Sequence, residues 1–337
     1  PPSKTTTYDL PVSALLSFPV DLSLAPLGTD DVPFRVDAAG NALSSGAAQM
    51  VDLRSQDLLC ANLSEAFSAP LAVMPAHLWL GALPRNRNHA DVFGPDNFAP
   101  DAYGGVPFTA AVGSWLIRPR KDVHALVAAL TRAARPPSAP TGLLVGIQAR
   151  LGMAIDEGVY SDRPPSHAGG EFVRCAYAHL PRGARDAPVG WIVAADQPST
   201  RRTILQAIAR VEGPIVAAAN EEALRDANGL ALPAGLFATG GALGAPSGTI
   251  HTLPLDSEAI RLGFAVAGFA SGARVLVLAR APRMSSQDGM LAAMVEMWLL
   301  GGAAVLVVTE NSTFWVPAVS LLRGGDPSGV LVFTRGQ

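Results

Sequence analysis

What this 337-residue chain lacks narrows its chemistry before any motif is read. It has two cysteines, Cys60 and Cys175, in different halves and in no metal-like spacing. Two buried free thiols are the simpler expectation; a single bridge is the alternative if the chain matures in an oxidising compartment. Charged residues make up only 16% and aromatic residues 6%, and the formal net charge is −3. Nothing here attracts nucleic acid or an acidic membrane in general, and no basic and aromatic residues interleave. Nucleic acid is therefore not an expected partner. No run of about 18 apolar residues is free of charge. The nearest, Met290 to Val308, carries Glu296, so no transmembrane segment is expected within the chain. The opening PPSKTTTYDLP reads neither as a signal peptide nor as a domain start, and a targeting or anchoring segment is expected ahead of it.

Catalytic motifs are missing too. No G-x-G-x-x-G follows a strand with an acidic residue about 20 positions on, so a dinucleotide cofactor is unsupported. The glycine-rich GGALGAPSG of 240–248 lacks the lysine of a phosphate-binding loop. There is no G-x-S-x-G elbow, which disfavours an α/β-hydrolase. The six histidines form no zinc pattern. No D-x-D pair occurs, the arrangement with which metal-dependent sugar-nucleotide transferases commonly hold a divalent ion against a diphosphate. No metal and no resident cofactor are expected.

What is present divides the chain. Thirty-three glycines and 28 prolines suit a body with many tight turns. Residues 1–50 read as loops and short strands, and 84–109 as a polar loop region in which Asn86, Arg87, Asn88 and His89 are ligand candidates set against an ordinary solvated loop. Val123, Leu126, Val127 and Leu130 recur at helical spacing. The segment Pro136, Pro137, Ser138, Ala139, Pro140 then breaks the pattern. The expected organisation is an N-terminal domain over 1–135, a linker over 136–141 and a C-terminal domain over 142–337.

Within the last of these, apolar strand candidates are Leu143 to Gln148, Trp191 to Ala195, Ile215 to Ala219, Arg274 to Ala279, Ala304 to Val308 and Val330 to Phe333. Helical stretches alternate with them: one capped by Ser199 or Thr200 and running to Val211, a short one from Glu221 to Asp226, one over Asp256 to Ala270, and one from a capping Asp288 to Leu300. This alternation implies a mostly parallel sheet covered on both faces, Rossmann-like in topology. Three strands end in polar residues: Gln148 and Arg150; Asp196, Gln197 and Ser199; and Thr309 to Phe314. Open α/β sheets bind ligands at the carboxyl ends of their strands. There an arginine fork and the hydroxyls and N–H groups of a helix N-terminus suit a phosphate.

VGIQAR, WIVAADQPS and MLAAMVEMWLLGGAAVLVVTENSTF together resemble the three donor-site motifs of the GDP-fucose fucosyltransferase superfamily, which includes plant-type xyloglucan fucosyltransferases and core α1,6-fucosyltransferases. Upstream, DNFAPDAYGGVPFTAAVGSWLIRPRKDV is similar to the segment that precedes the linker in the plant-type enzymes. The resemblance spans roughly residues 93–323. It implies a GT-B-like α/β fold, with two Rossmann-like domains facing a cleft and the N-terminal one incomplete. It also implies a donor site. Arg150 would bind the β-phosphate and help GDP leave, with Gly146 in the same motif. Gln148 would lie beside the guanosine, Asp196 would match the first aspartate of the turn, and Glu296 would stand where many relatives recognise guanine with an aspartate. Asn311, Ser312, Thr313 and Phe314 would line the diphosphate. Three features depart from the pattern: Glu296 is a methylene longer than the usual aspartate, Gln197 replaces a second aspartate, and no G-L-G-N-R-like loop occurs in 1–140.

The function so implied is inverting, metal-independent transfer of fucose from GDP-fucose to a glycan or glycoprotein acceptor. The alternatives are transfer from another nucleotide sugar on the same fold, or a catalytically inactive glycan-binding or structural relative. Asp156, Glu157 and His89 are candidates for the base that deprotonates the acceptor. A Golgi-lumen setting follows from the resemblance, with a type II anchor outside this sequence. Asn62 and Asn311 begin formal glycosylation sequons; Asn311 falls in the donor loop and is expected to be bare.

Overall fold

The computed structural model describes residues 16–17, 34–36, 42–44, 48–50, 71–73, 87–89, 118–150, 165–184, 187–225, 236–237, 250–280, 282, 286–309 and 329–333. By its internal packing the chain forms two compact units. One is mainly residues 119–318 with 328–337, and the other 11–118 with 319–327. The division falls ahead of the helix Lys121–Ala134, not at the proline-rich 136–141, because that helix packs on the sheet of the larger unit. In the smaller unit, Phe34–Val36 pairs antiparallel with Ala42–Ser44, and Ala48–Met50 pairs parallel with Leu71–Val73.

The larger unit is an α/β body. Its helices are α1 (Lys121–Ala134), α2 (Pro165–His179), α3 (Pro198–Glu212), α4 (Glu221–Arg225), α5 (Ser257–Arg261) and α6 (Gln287–Gly301). Its strands are β1 (Leu144–Ala149), β2 (Gly190–Ala195), β3 (Ile215–Ala219), β4 (His251–Thr252), β5 (Phe264–Phe269), β6 (Arg274–Leu278), β7 (Val305–Thr309) and β8 (Val330–Phe333). They form one eight-stranded sheet in the order β4-β3-β5-β6-β2-β1-β7-β8. Every neighbouring pair is parallel except the two that β5 makes, with β3 and with β6. This is the Rossmann-like architecture expected of 142–337, with one antiparallel strand added. Among the described residues no helix is long and apolar enough to cross a membrane.

The strands read as continuous apolar runs because both faces are covered. On one face Val145, Ile147, Trp191 and Val193 pack with Phe172, Val173 and Ala176 of α2 and Ile204, Leu205 and Ile208 of α3. The two helices approach closely at Gly169, where a Cβ would lie 2.5 Å from the Thr203 carbonyl. On the other face lie α1 and α6; a Cβ at Gly146 would meet Leu306, Ala303 and Leu300 at 2.7, 3.1 and 3.2 Å.

Three local expectations are corrected. The stretch 256–270 is not one helix. Asp256 caps a single turn by accepting from Glu258 N, Gly263 turns the chain at φ 88°, and Phe264–Phe269 continues as a fully buried strand. Short apolar runs fit either element, and here the glycine decides. Helix α6 is capped by Ser286, whose Oγ accepts from Gly289 N, while Asp288 pairs with Arg261. Helix α3 starts at Pro198 with Gln197 at its N-cap, and neither Ser199 nor Thr200 caps it. Cys175 is a free, half-buried thiol whose pKa burial raises; Cys60 lies outside the described residues.

Candidate functional site

The order of the strands locates the site. The chain passes from β1 through α2 to β2 on one side, and from β6 through α6 to β7 on the other side of β1. These two crossovers leave on opposite faces, so the topological switch point lies between β1 and β7. The carboxyl ends of the strands at such a point are the usual ligand position in an open α/β sheet. Gln148 pairs with Val308 across this junction. One step further, the Arg150 backbone N–H donates to Thr309 Oγ1 at 3.1 Å. The arginine predicted to meet a phosphate thus begins at the switch point, half-buried, with its own main chain tied to the neighbouring strand end.

Glu296 reaches the same edge from α6. Gly146 faces Leu300 of that helix. Gln148 lies two residues further along the same face of β1, an advance of about 6.6 Å. Glu296 lies one turn back from Leu300 along a helix running against the strand, an advance of about 6 Å. The two side chains therefore stand at one level on facing elements. Gln148 is 5% exposed. Its Oε1 and the Oε1 of Glu296 are buried acceptors without a hydrogen-bond partner among the described residues. Burial pushes the Glu296 carboxyl up to about 7, with Arg201 pulling the other way. Buried polar atoms are rarely left unpaired, and two unpaired acceptors at a strand edge suit a ligand that carries donors.

Arg201 was not anticipated. It lies in the first turn of α3 and is only 4% exposed. Its Nη1 donates to Ala279 O at 3.1 Å and its Nη2 to Ala195 O at 3.2 Å, which places the guanidinium across the carboxyl ends of β6 and β2. Its Nε and the Thr200 Oγ1 have no partner among the described residues. Burial lowers the Arg201 pKa, while Glu296 and Asp196 oppose the shift. The available signal was helical spacing: Arg201, Ile204, Leu205 and Ile208 share one stripe, and a charge on a buried stripe calls for a partner.

The other predicted residues separate into four groups. Asp196 is exposed in the turn after β2, and its N–H donates to Ala149 O at 3.3 Å, which brings it next to the Arg150 strand end. Gly146 sits inside β1 beneath α6, where the closeness of the helix by itself accounts for a glycine. His89 ends a short 3-10 turn, Arg87–His89, in the smaller unit. Asn311, Ser312, Thr313 and Phe314 lie outside the described residues, as do Asp156, Glu157 and Asn62.

Among the described residues no group of three or more histidine, cysteine or acidic side chains is placed to hold a metal ion. The edge offers two arginines, the acceptors of Gln148 and Glu296, and an α3 N-terminus closed by no side-chain cap. Such a set can hold an anion beside a flat group bearing N–H donors.

No family model matches the chain, and no curated protein matches it. Among solved structures it is similar to a point mutant of Arabidopsis thaliana FUT1 in complex with GDP, with 13% sequence identity and a TM-score of 0.41. That likeness covers 89% of this chain and 51% of the other, so the chain spans about half the length of that protein.

Proposed function

We propose that this chain carries the donor site of an inverting, metal-independent glycosyltransferase of GT-B type that uses GDP-fucose and a glycan or glycoprotein acceptor in the Golgi lumen. The observation that carries the reading is the tie between Arg150 N and Thr309 Oγ1 at the switch point, beside two buried acceptors that lack donors among the described residues. Guanine presents a ring N–H and an amino group on one edge, which match the paired acceptors of Gln148 and Glu296. Its diphosphate then falls toward Arg150.

In this mechanism Arg150 stabilises charge that grows on the leaving GDP as the glycosidic bond breaks. Such a group accelerates the step because it meets more charge in the transition state than in the bound donor. The acceptor hydroxyl attacks from the opposite side and inverts the anomeric carbon, and a carboxylate or histidine takes its proton.

A donor-hydrolysis assay over a panel of nucleotide sugars tests the proposal. GDP-fucose should be consumed in preference to UDP- and ADP-sugars, and Arg150→Ala should lower turnover by about 100-fold or more while melting normally. Preference for another nucleotide, or full turnover by Arg150→Ala, overturns it.

A further inference from the structure

Glu296 and Arg201 pose one problem from opposite sides. Each carries an ionisable group deep in the protein, and each keeps at least one polar atom without a hydrogen-bond partner among the described residues. They belong to different layers. Glu296 is on α6, which packs on β1 and β2 from one face, while Arg201 is on α3, which packs on β2 from the other. Both stand at the carboxyl edge of the sheet: Glu296 level with Gln148, and Arg201 over the ends of β2 and β6, where Ala195 O and Ala279 O grip its two terminal nitrogens. A guanidinium gripped in this way cannot swing out to solvent, so its charge stays at a defined place on the edge it shares with Glu296.

Resting on the donor-site reading above, we propose that Arg201 is a positioning residue: clamped across the carboxyl ends of β2 and β6, it supplies the fixed countercharge that lets Glu296 act as an anionic acceptor for the N–H donors of a nucleobase. An isolated buried carboxylate takes up a proton, and once protonated it loses an acceptor where the base edge needs one. Among the described residues no other cation is held in this way; Arg150, at the end of β1, is assigned to the diphosphate in the same reading. On the elements packed against α6, the charged or titratable groups are Lys121, Asp122, His124 and Arg132 of α1 and Glu258 and Arg261 of α5. Those of α1 are exposed, and Arg261 already holds Glu258 and Asp288. At the turn between β2 and α3 stand Asp196, exposed and of the wrong sign, and Arg201. The direction of the electrostatic effects agrees: among the described residues Arg201 acts on Glu296, and it favours the ionised form.

The test reads the Glu296 carboxyl directly in the ligand-free protein. The infrared band of its protonated form is isolated as the difference between the parent protein and Glu296→Gln and is followed with pH. Arg201→Met should move the midpoint upward by about 1 to 3 pH units. An unmoved midpoint in a folded Arg201→Met protein overturns the proposal. In parallel, GDP affinity is measured against pH. Binding by the parent protein should weaken below the Glu296 midpoint, and in Arg201→Met this break should move upward with the band. A break that stays in place also overturns the proposal. A parent protein that binds no GDP at any pH refutes the donor-site reading, while the infrared midpoint still decides whether Arg201 is the countercharge. Should Arg201→Met fail to fold, the Glu296→Gln background decides: the loss should be smaller there, and an equal loss in both backgrounds contradicts the coupling.

Discussion

Replacing Glu296 by glutamine measures what a buried carboxylate costs this fold. Burial raises the carboxyl from 4.5 to about 7. The folded protein therefore holds this proton more tightly than the unfolded chain does. Stability from this group is full below the unfolded value and is lost as pH rises through the folded one. At about 1.4 kcal/mol for each pH unit, the loss amounts to about 3 kcal/mol by pH 8. Glutamine keeps the shape of the protonated acid and cannot ionise. The variant and the parent should thus unfold alike near pH 4, and the variant should be more stable by about 3 kcal/mol near pH 8. Comparing the two proteins cancels every other titration. One of these is Glu258, which a hydrogen bond from Arg261 holds below its ordinary value and whose stabilisation is lost in the opposite direction, as pH falls. Urea and thermal unfolding over this pH range provide the assay. Parallel curves for the two proteins, or a variant less stable near pH 8, refute the reasoning.

Three further outcomes are expected. Thr309→Val removes the acceptor of the Arg150 N–H; it should cost about 1 to 2 kcal/mol in unfolding and weaken GDP binding roughly tenfold, and unchanged GDP affinity counts against the switch-point site. Gly146→Val places methyl groups against Leu306, Ala303 and Leu300; a loss of about 1 to 3 kcal/mol in thermal unfolding is expected, and an unaltered melting curve contradicts the packing described. Glu212→Ala removes the acceptor shared by Tyr177 Oη, Trp191 Nε1 and Ser271 Oγ at the opposite, amino-terminal edge of the sheet. It should destabilise by about 3 kcal/mol or more while the folded protein binds GDP as before, and a large loss of affinity in the folded variant shows that the two edges are coupled.

Much of the larger unit was legible because its strands are buried on both faces. LLVGIQ, GWIVAA and AAVLVV are continuous apolar runs with no helix-length alternative, and a polar residue closes each at the edge where ligands bind. FAVAGF was not legible in the same way. It follows a helical turn directly, and the φ of Gly263, not any periodicity, separates the two elements. The proline-rich segment ends helix α1 but does not release it, since the apolar stripe of α1 is buried on the sheet. Gln148, Arg150, Asp196 and Glu296 converge on one edge through topology alone, which a linear reading reaches as soon as strands and helices alternate. Arg201 needed the third dimension. Its partners are main-chain carbonyls 78 residues after it and 6 residues before it, in no sequence pattern, and only the sheet order brings them under one guanidinium.

The central claim is that Arg150 begins at a nucleotide site built on the β1–β7 switch point. Calorimetric titration of GDP into the parent protein and into Arg150→Ala, with UDP and ADP as controls, tests it most directly. GDP should bind in preference to the other two nucleotides, and Arg150→Ala should weaken that binding by roughly 10- to 100-fold, the worth of a charge-assisted contact to phosphate. Equal affinity for the three nucleotides, or undiminished GDP binding by folded Arg150→Ala, contradicts it.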